Sequence, residues 1–146
     1  MKRHLNLLMT IIVLAGVLTV TGNAQTASAQ KLIAKIPFTF NVGNKTLPAG
    51  KYTIVVVNPT SDRRILQIRS ADGRSSAMIV TTDVIGKASH NTKLVFERYG
   101  DRYYFAQAQM AGDQTSLAAV KTSAERAEKR WVATTKQKTV VVIIAE

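Results

Sequence analysis

The side chains able to do chemistry in this chain are few in kind, and their spacing does not suit catalysis. Cysteine is absent, which removes thiol nucleophiles, thiolate zinc sites and iron–sulfur ligation together. Of the two histidines, only His90 lies beyond the N-terminal segment, in the polar stretch Ala88-Ser89-His90-Asn91-Thr92. Zinc needs three or four convergent ligands, so a lone loop histidine predicts a solvated ring. Asp62, Asp72, Asp83, Asp101 and Asp113 fall mostly in turn-like sequence, where such side chains satisfy local backbone donors; none has calcium-loop spacing. Ser75, Ser76 and Ser89 with His90 form no nucleophile elbow, no S-x-x-K and no triad order. Glu97 and Asp101 could meet as a glycosidase-like pair, but their spacing does not single them out from ordinary surface charge. Gly43, Gly50 and Gly73 are isolated turn glycines, not a phosphate loop. The expectation is a non-enzyme with no cofactor and no metal. The alternative is a small hydrolase-like enzyme, which would gather Glu97, His90 and an aspartate in one cleft.

Positive charge is what the chain holds in excess: 20 Lys and Arg against 9 Asp and Glu, a formal +11. Two groups are candidate anion-binding sites. Arg63, Arg64, Arg69 and Arg74 frame one predicted hairpin, and Arg126, Lys129 and Arg130, with Lys136 and Lys138, surround the end of a predicted helix. Guanidinium and ammonium groups so gathered suit carboxylate or phosphate recognition. The excess favours anionic partners, although it also serves simple solubility. The stretch Arg98 to Phe105 mixes basic and aromatic residues that could stack on bases. It lacks the RNP1 pattern, and Asp101 opposes phosphate, so no specific nucleic-acid motif is present.

The N-terminus orders its residues as an export signal. Lys2, Arg3 and His4 precede an apolar run from Leu5 to Val20, then a small polar stretch ends in Ala27-Ser28-Ala29. That order predicts a secretory signal peptide over residues 1–29 with cleavage before Gln30, a cut after Ala24 being the alternative. The run is shorter than the ~20 apolar residues a spanning helix needs, so no membrane span is expected after cleavage. Residues 30–146 are expected to form a single β-rich domain, exported to the periplasm or beyond, with a net +9 once Lys2 and Arg3 are gone.

Short period-two runs separated by turns dominate that domain. Ile36 to Val42 alternates, with Pro37 at an edge or start. Tyr52 to Val57, Ile65 to Arg69, Ser75 to Thr82, Lys93 to Tyr99 and Arg102 to Met110 follow, with Asp83 to Asn91 as a longer loop. Gly100-Asp101 reads as a Gly-X hairpin loop. It sets Arg98 opposite Tyr103, Phe96 opposite Phe105 and Leu94 opposite Gln107. Leu94, Phe96, Tyr103 and Phe105 then share a core face. Val95, Glu97, Tyr99, Tyr104, Ala106, Ala108 and Met110 share an amphipathic one, suited to cover by a helix or a partner. Thr122-Ser123-Ala124-Glu125 matches a capping box. Leu117, Val120, Ala124, Ala127 and Trp131 repeat at helical spacing, so one helix is expected, starting at Ser116 or Thr122. Five β-branched residues, Val140 to Ile144, predict a strand that must be paired and buried. The fold class is therefore all-β: a mainly antiparallel sandwich or flattened barrel of six to eight strands, with one α-helix in the C-terminal half.

Three segments stand out together: Ile36-Pro37-Phe38-Thr39-Phe40-Asn41-Val42-Gly43 with Leu47-Pro48-Ala49-Gly50-Lys51-Tyr52; Lys93 to Phe105; and Ser123-Ala124-Glu125-Arg126. In this order they resemble a family of short exported bacterial proteins with no established activity. The resemblance implies bacterial export and a β-rich fold, and it brings no catalytic residue. The functional expectation is an exported, non-catalytic envelope or secreted interaction module. It would bind acidic polysaccharide or another anionic envelope component through basic surface. A further alternative is a structural module that self-associates through residues 139–145.

Overall fold

A computed structural model describes residues 31–133 and 139–145. The predicted signal peptide, Lys136 and Lys138 lie outside the described residues. The strands are β1 (Lys31–Ile36), β2 (Phe40–Val42), β3 (Lys45–Leu47), β4 (Gly50–Val56), β5 (Ile65–Ser70), β6 (Ser76–Ile85), β7 (Lys93–Tyr99), β8 (Arg102–Gln109), β9 (Thr115–Ala119) and β10 (Thr139–Ile144); the helix α1 spans Ser123–Ala133. They form one mixed sheet that does not close. The expected range of six to eight strands is corrected to ten. The additions are β1, upstream of the first predicted run; β3, paired to β2 across Gly43-Asn44; and β9, where the helix had been allowed to begin. Pro37 lies in the break between β1 and β2, because it has no N–H to offer a ladder.

The first half-sheet runs β1-β4-β5 and the first part of β6, all antiparallel. β6 is long. Ser76 to Val80 pair with β5 and Thr81 to Ile85 with β9, so this strand carries the chain into the second half-sheet. There β9, β8, β7 and β10 are antiparallel neighbours, while β2 joins β8 in parallel, Phe40 opposite Tyr103. The loop expected from Asp83 accordingly starts only at Gly86. The halves face each other across one apolar core. Leu32, Ile36, Ile54 and Leu66 from the first meet Leu94, Phe96 and Phe105 from the second. The rings of Phe40, Tyr52, Phe96 and Phe105 contact edge to face at 5.2–5.8 Å, which adds to their area burial.

The Gly100-Asp101 hairpin forms as expected, with Gly100 at φ +59°. Its register shifts farther out. Phe96 opposes Phe105, but Val95 opposes Gln107 and Leu94 opposes Ala108, so β8 carries one extra residue at Ala106. Such a bulge reverses the faces beyond it. Ala108 and Met110, expected on the amphipathic face, pack with the core instead. Helix α1 starts at Ser123, which resolves its start in favour of the Thr122 cap: Glu125 N–H donates to Thr122 Oγ1 at 3.2 Å. Its expected apolar stripe is corrected too. Ala124, Ala127 and Trp131 are exposed, Trp131 by 69%, while Glu125 is only 4% exposed. Strand β10 is paired, to β7, yet only half buried. Val141 and Ile143 pack on the core, while Val140, Val142 and Ile144 stay exposed.

Candidate functional site

The sheet has two outer faces, and the titratable groups divide between them. On the first half-sheet, strand alternation turns Leu32, Ala34, Ile36, Tyr52, Ile54 and Val56 inward. Odd-numbered neighbours therefore point out. Those outward positions include Lys31, Lys35, Lys51 and Arg69, and no carboxylate. Lys35 lies directly opposite Lys51, and Thr53 opposite Arg69. Lys35, Lys51 and Arg69 thus step across three adjacent strands, with separations of about 5 Å for the direct pair and about 7–8 Å for the diagonal. Among the described residues none makes an ion pair with them.

Two grooves flank the turn that ends β5. One, of about 420 Å³, is lined by Thr53, Val55, Gln67, Arg69 and the turn Ser70 to Gly73. The other, of about 200 Å³, lies between Pro48, Lys51, Tyr52, Asp72 and Ser75. Asp72 accepts hydrogen bonds from the Ser70 hydroxyl at 2.5 Å and from Arg74 N–H at 3.1 Å. These two bonds, in that order, hold its carboxyl below the ordinary range despite full exposure. Tyr52 donates to Pro48 O at 2.6 Å, and burial, then the Asp72 charge, pushes its phenol up.

The second half-sheet is different. Helix α1 lies over β7, and Lys121, just before it, forms an ion pair and hydrogen bond with Glu97 while lying 3.0 Å from Tyr99 OH. Tyr99 OH also donates to Glu97. Glu125 Oε1 has Lys121 Nζ at 3.4 Å, an ion contact off hydrogen-bond alignment. Burial disfavours the Lys121 ammonium, but its bonds to Glu97 and Tyr99 outweigh that and hold its pKa well above the ordinary value. Burial, then the bond to Glu97, pushes Tyr99 up to about 12. Burial raises Glu125 as well, only partly offset by Lys121. Lys121 is thus held protonated and Tyr99 neutral, each bonded to the Glu97 carboxylate. This cluster ties the helix to the sheet.

The predicted residues fall in separate places. Arg69 and Arg74 stand at one end of the β5–β6 hairpin, and Arg63 and Arg64 at the other, about 16 Å away along β5. Arg64 is committed to Asp83 at 2.9 Å and also lines an interior cavity of about 70 Å³ among Leu32, Ile54, Leu66 and Leu117. That volume suits a few waters, not a sugar or an acyl chain. Arg126, Lys129 and Arg130 are exposed on α1. His90 lies in the loop before β7, while Glu97 is four residues along that strand from Lys93, about 13 Å. No group of three or more His, Asp or Glu among the described residues could hold a metal. Sequence reasoning missed Lys31, Lys35 and Lys51. The signal for Lys31 and Lys35 is alternation in Lys31-Leu32-Ile33-Ala34-Lys35-Ile36, upstream of the run expected from Ile36, and Lys51 stands one residue before the run expected from Tyr52. Comparison with protein-family models, curated proteins and solved structures finds no match.

Proposed function

We propose that the chain is an exported, non-catalytic interaction module of the periplasm or secreted space, and that it holds anionic polymer on the outer face of its first half-sheet. The observation that carries this reading is the set Lys31, Lys35, Lys51 and Arg69 on one face, without a carboxylate among the outward positions. Cations already paired are neutralised locally and add little attraction; unpaired ones on a flat face sum. The test compares two variants with equal charge loss on an acidic-polysaccharide resin across a salt series. Lys35→Gln with Lys51→Gln is expected to elute at clearly lower salt than Arg98→Gln with Arg102→Gln, which removes two cations that already face carboxylates. Equal shifts would reduce the binding to net charge. Recovery from the native host of a chain beginning at Gln30, by intact mass, tests export.

A second reading rests on β10. Among the described residues it pairs with β7 alone, with β1 close by, and its Val140, Val142 and Ile144 are exposed on the outer face beside the other edge. Such an edge templates another strand, and the occupant we propose is β10 of a second copy. Sedimentation velocity is expected to show a concentration-dependent dimer that Val142→Lys abolishes. A monomer at all concentrations would exclude it.

A further inference from the structure

The groove beside Arg69 has more than charge. Gly73 stands at φ +73°, and a Cβ there would lie 3.2 Å from Arg69 Nη2. The exposed guanidinium therefore lies beside the turn, in space that a side chain at position 73 would narrow. Gln67 and Thr53 line the same groove with an amide and a hydroxyl, and Val55 adds an apolar wall. Polar hydrogen-bonding groups, an apolar surface and one positive charge are what a sugar ring with a single acidic group requires. At about 420 Å³ the groove is also the right size for a ring of that kind.

The charge within it discriminates among anions. One guanidinium suits one carboxylate, which it can grip with two parallel N–H donors. Asp72 lines the same groove and stays ionised, because its hydrogen bonds from Ser70 and Arg74 favour the charged form. A multiply sulfated ring or a phosphate monoester would press extra negative charge against it. One step across the sheet stands Lys51 and beyond it Lys35, each without an ion-pair partner among the described residues. A chain bearing one acid group per ring would meet these cations in turn as it crossed the strands.

We infer that this groove is the anchoring subsite for one carboxylated sugar ring of a polyuronate, with Arg69 on the carboxylate, Gln67 and Thr53 on ring hydroxyls, and Lys51 and Lys35 on the acid groups of following rings. The inference rests on the polymer-binding reading above and gives it a ligand class.

Calorimetric titration of the full mature chain with hexagalacturonate, its methyl-esterified form and a heparin hexasaccharide tests it. Hexagalacturonate is expected to bind at physiological salt, and the ester at least about tenfold more weakly. Arg69→Gln is expected to weaken hexagalacturonate binding by about tenfold, whereas Arg126→Gln, with the same charge loss, stays within about twofold. Arg69→Lys keeps the charge without the fork and is expected to recover only part. Circular dichroism checks that each variant is folded. If Arg69→Gln and Arg126→Gln weaken binding equally, the groove is no subsite although polymer binding stands. If the heparin hexasaccharide binds more tightly and depends on Arg69, the carboxylate assignment falls. If none of the three binds at physiological salt, the polymer-binding reading falls with it.

Discussion

Lys51 on the first half-sheet and Lys121 between β7 and α1 are the same chemical group in opposite circumstances. Lys51 is exposed and faces a second lysine across the strand pair, Lys35. Lys121 is two-thirds covered and bonded to Glu97 and Tyr99, with Glu125 beside it. The pattern extends to their neighbours. Around the second half-sheet Arg98 meets Asp101 and Arg102 meets Glu128, each at 3.4 Å, whereas Lys31, Lys35 and Arg69 meet no carboxylate among the described residues. Net charge therefore locates nothing by itself. What separates the two lysines is whether a carboxylate lies within reach, and that follows from which strands and helices lie together.

The same substitution at both lysines makes the contrast measurable and gives the largest expected effect. Lys121→Met leaves the carboxylates of Glu97 and Glu125, only 13% and 5% exposed, without their shared cation. Removing one member of such a group is expected to cost about 3 kcal/mol of unfolding free energy. Lys51→Met removes an exposed charge and is expected to stay within about 0.5 kcal/mol. Binding to acidic polysaccharide should respond in the reverse order, weakened by Lys51→Met and unchanged by Lys121→Met under conditions where both are folded. Urea unfolding with resin retention on the same two proteins checks this. Equal stability costs would remove the distinction between the faces.

The sequence made plainly alternating strands more legible than the bulged strand and the helix, for physical reasons. Alternation in Tyr52 to Val57 and in Lys93 to Tyr99 is a local consequence of the pleat, so those strands and the Gly100 turn could be read directly. The extra residue at Ala106 could not be. A bulge leaves no compositional mark in Ala106-Gln107-Ala108, and it moved Ala108 from the outer face to the core. The helix was located by its cap but its orientation was misread, because an apolar stripe was assumed to face the sheet. Ala124, Ala127 and Trp131 form that stripe on paper; Lys121, fixed by the end of β9, draws Glu125 inward instead. Likewise Arg64 looked like part of an arginine group. Only the pairing of β5 with β6 shows it committed to Asp83, 19 residues away.

A second contrast is in pH dependence. Tyr99 is raised from 10.0 to about 12 and Lys121 is raised above its ordinary 10.5. In both cases the folded state holds its proton more tightly than the unfolded chain does. Their contribution is therefore complete below pH 10 and is lost as pH rises towards and beyond 12. The urea midpoint is expected to fall across that alkaline interval, and Tyr99→Phe should remove part of the fall. A midpoint that fell equally in Tyr99→Phe and wild type would mean that the cluster under α1 does not set the alkaline limit.

The smallest expected effect concerns Glu125, and its sign is informative. Its carboxyl is 4% exposed, and burial raises its pKa from 4.5 with only partial opposition from Lys121. A raised carboxyl pKa means that the fold disfavours the ionised form relative to the unfolded chain, so at neutral pH the Glu125 charge costs stability on balance. Glu125→Gln keeps the shape and the hydrogen-bonding capacity while removing that charge. It also gives up the Lys121 contact and a favourable acidic group in the first helical turn, worth about 0.3–1 kcal/mol. The net expectation is a small gain, below about 1 kcal/mol, at pH 7. As pH falls through the raised pKa towards 4.5, the wild type takes up its proton in the folded state and gains stability, so the difference should shrink. Urea unfolding at pH 7 and again near pH 4.5 measures both quantities. A loss exceeding about 1 kcal/mol at pH 7 would show that the Glu125–Lys121 contact stabilises the helix more than burial of the charge disfavours it, and Lys121 would then hold two carboxylates productively where the present geometry gives it one.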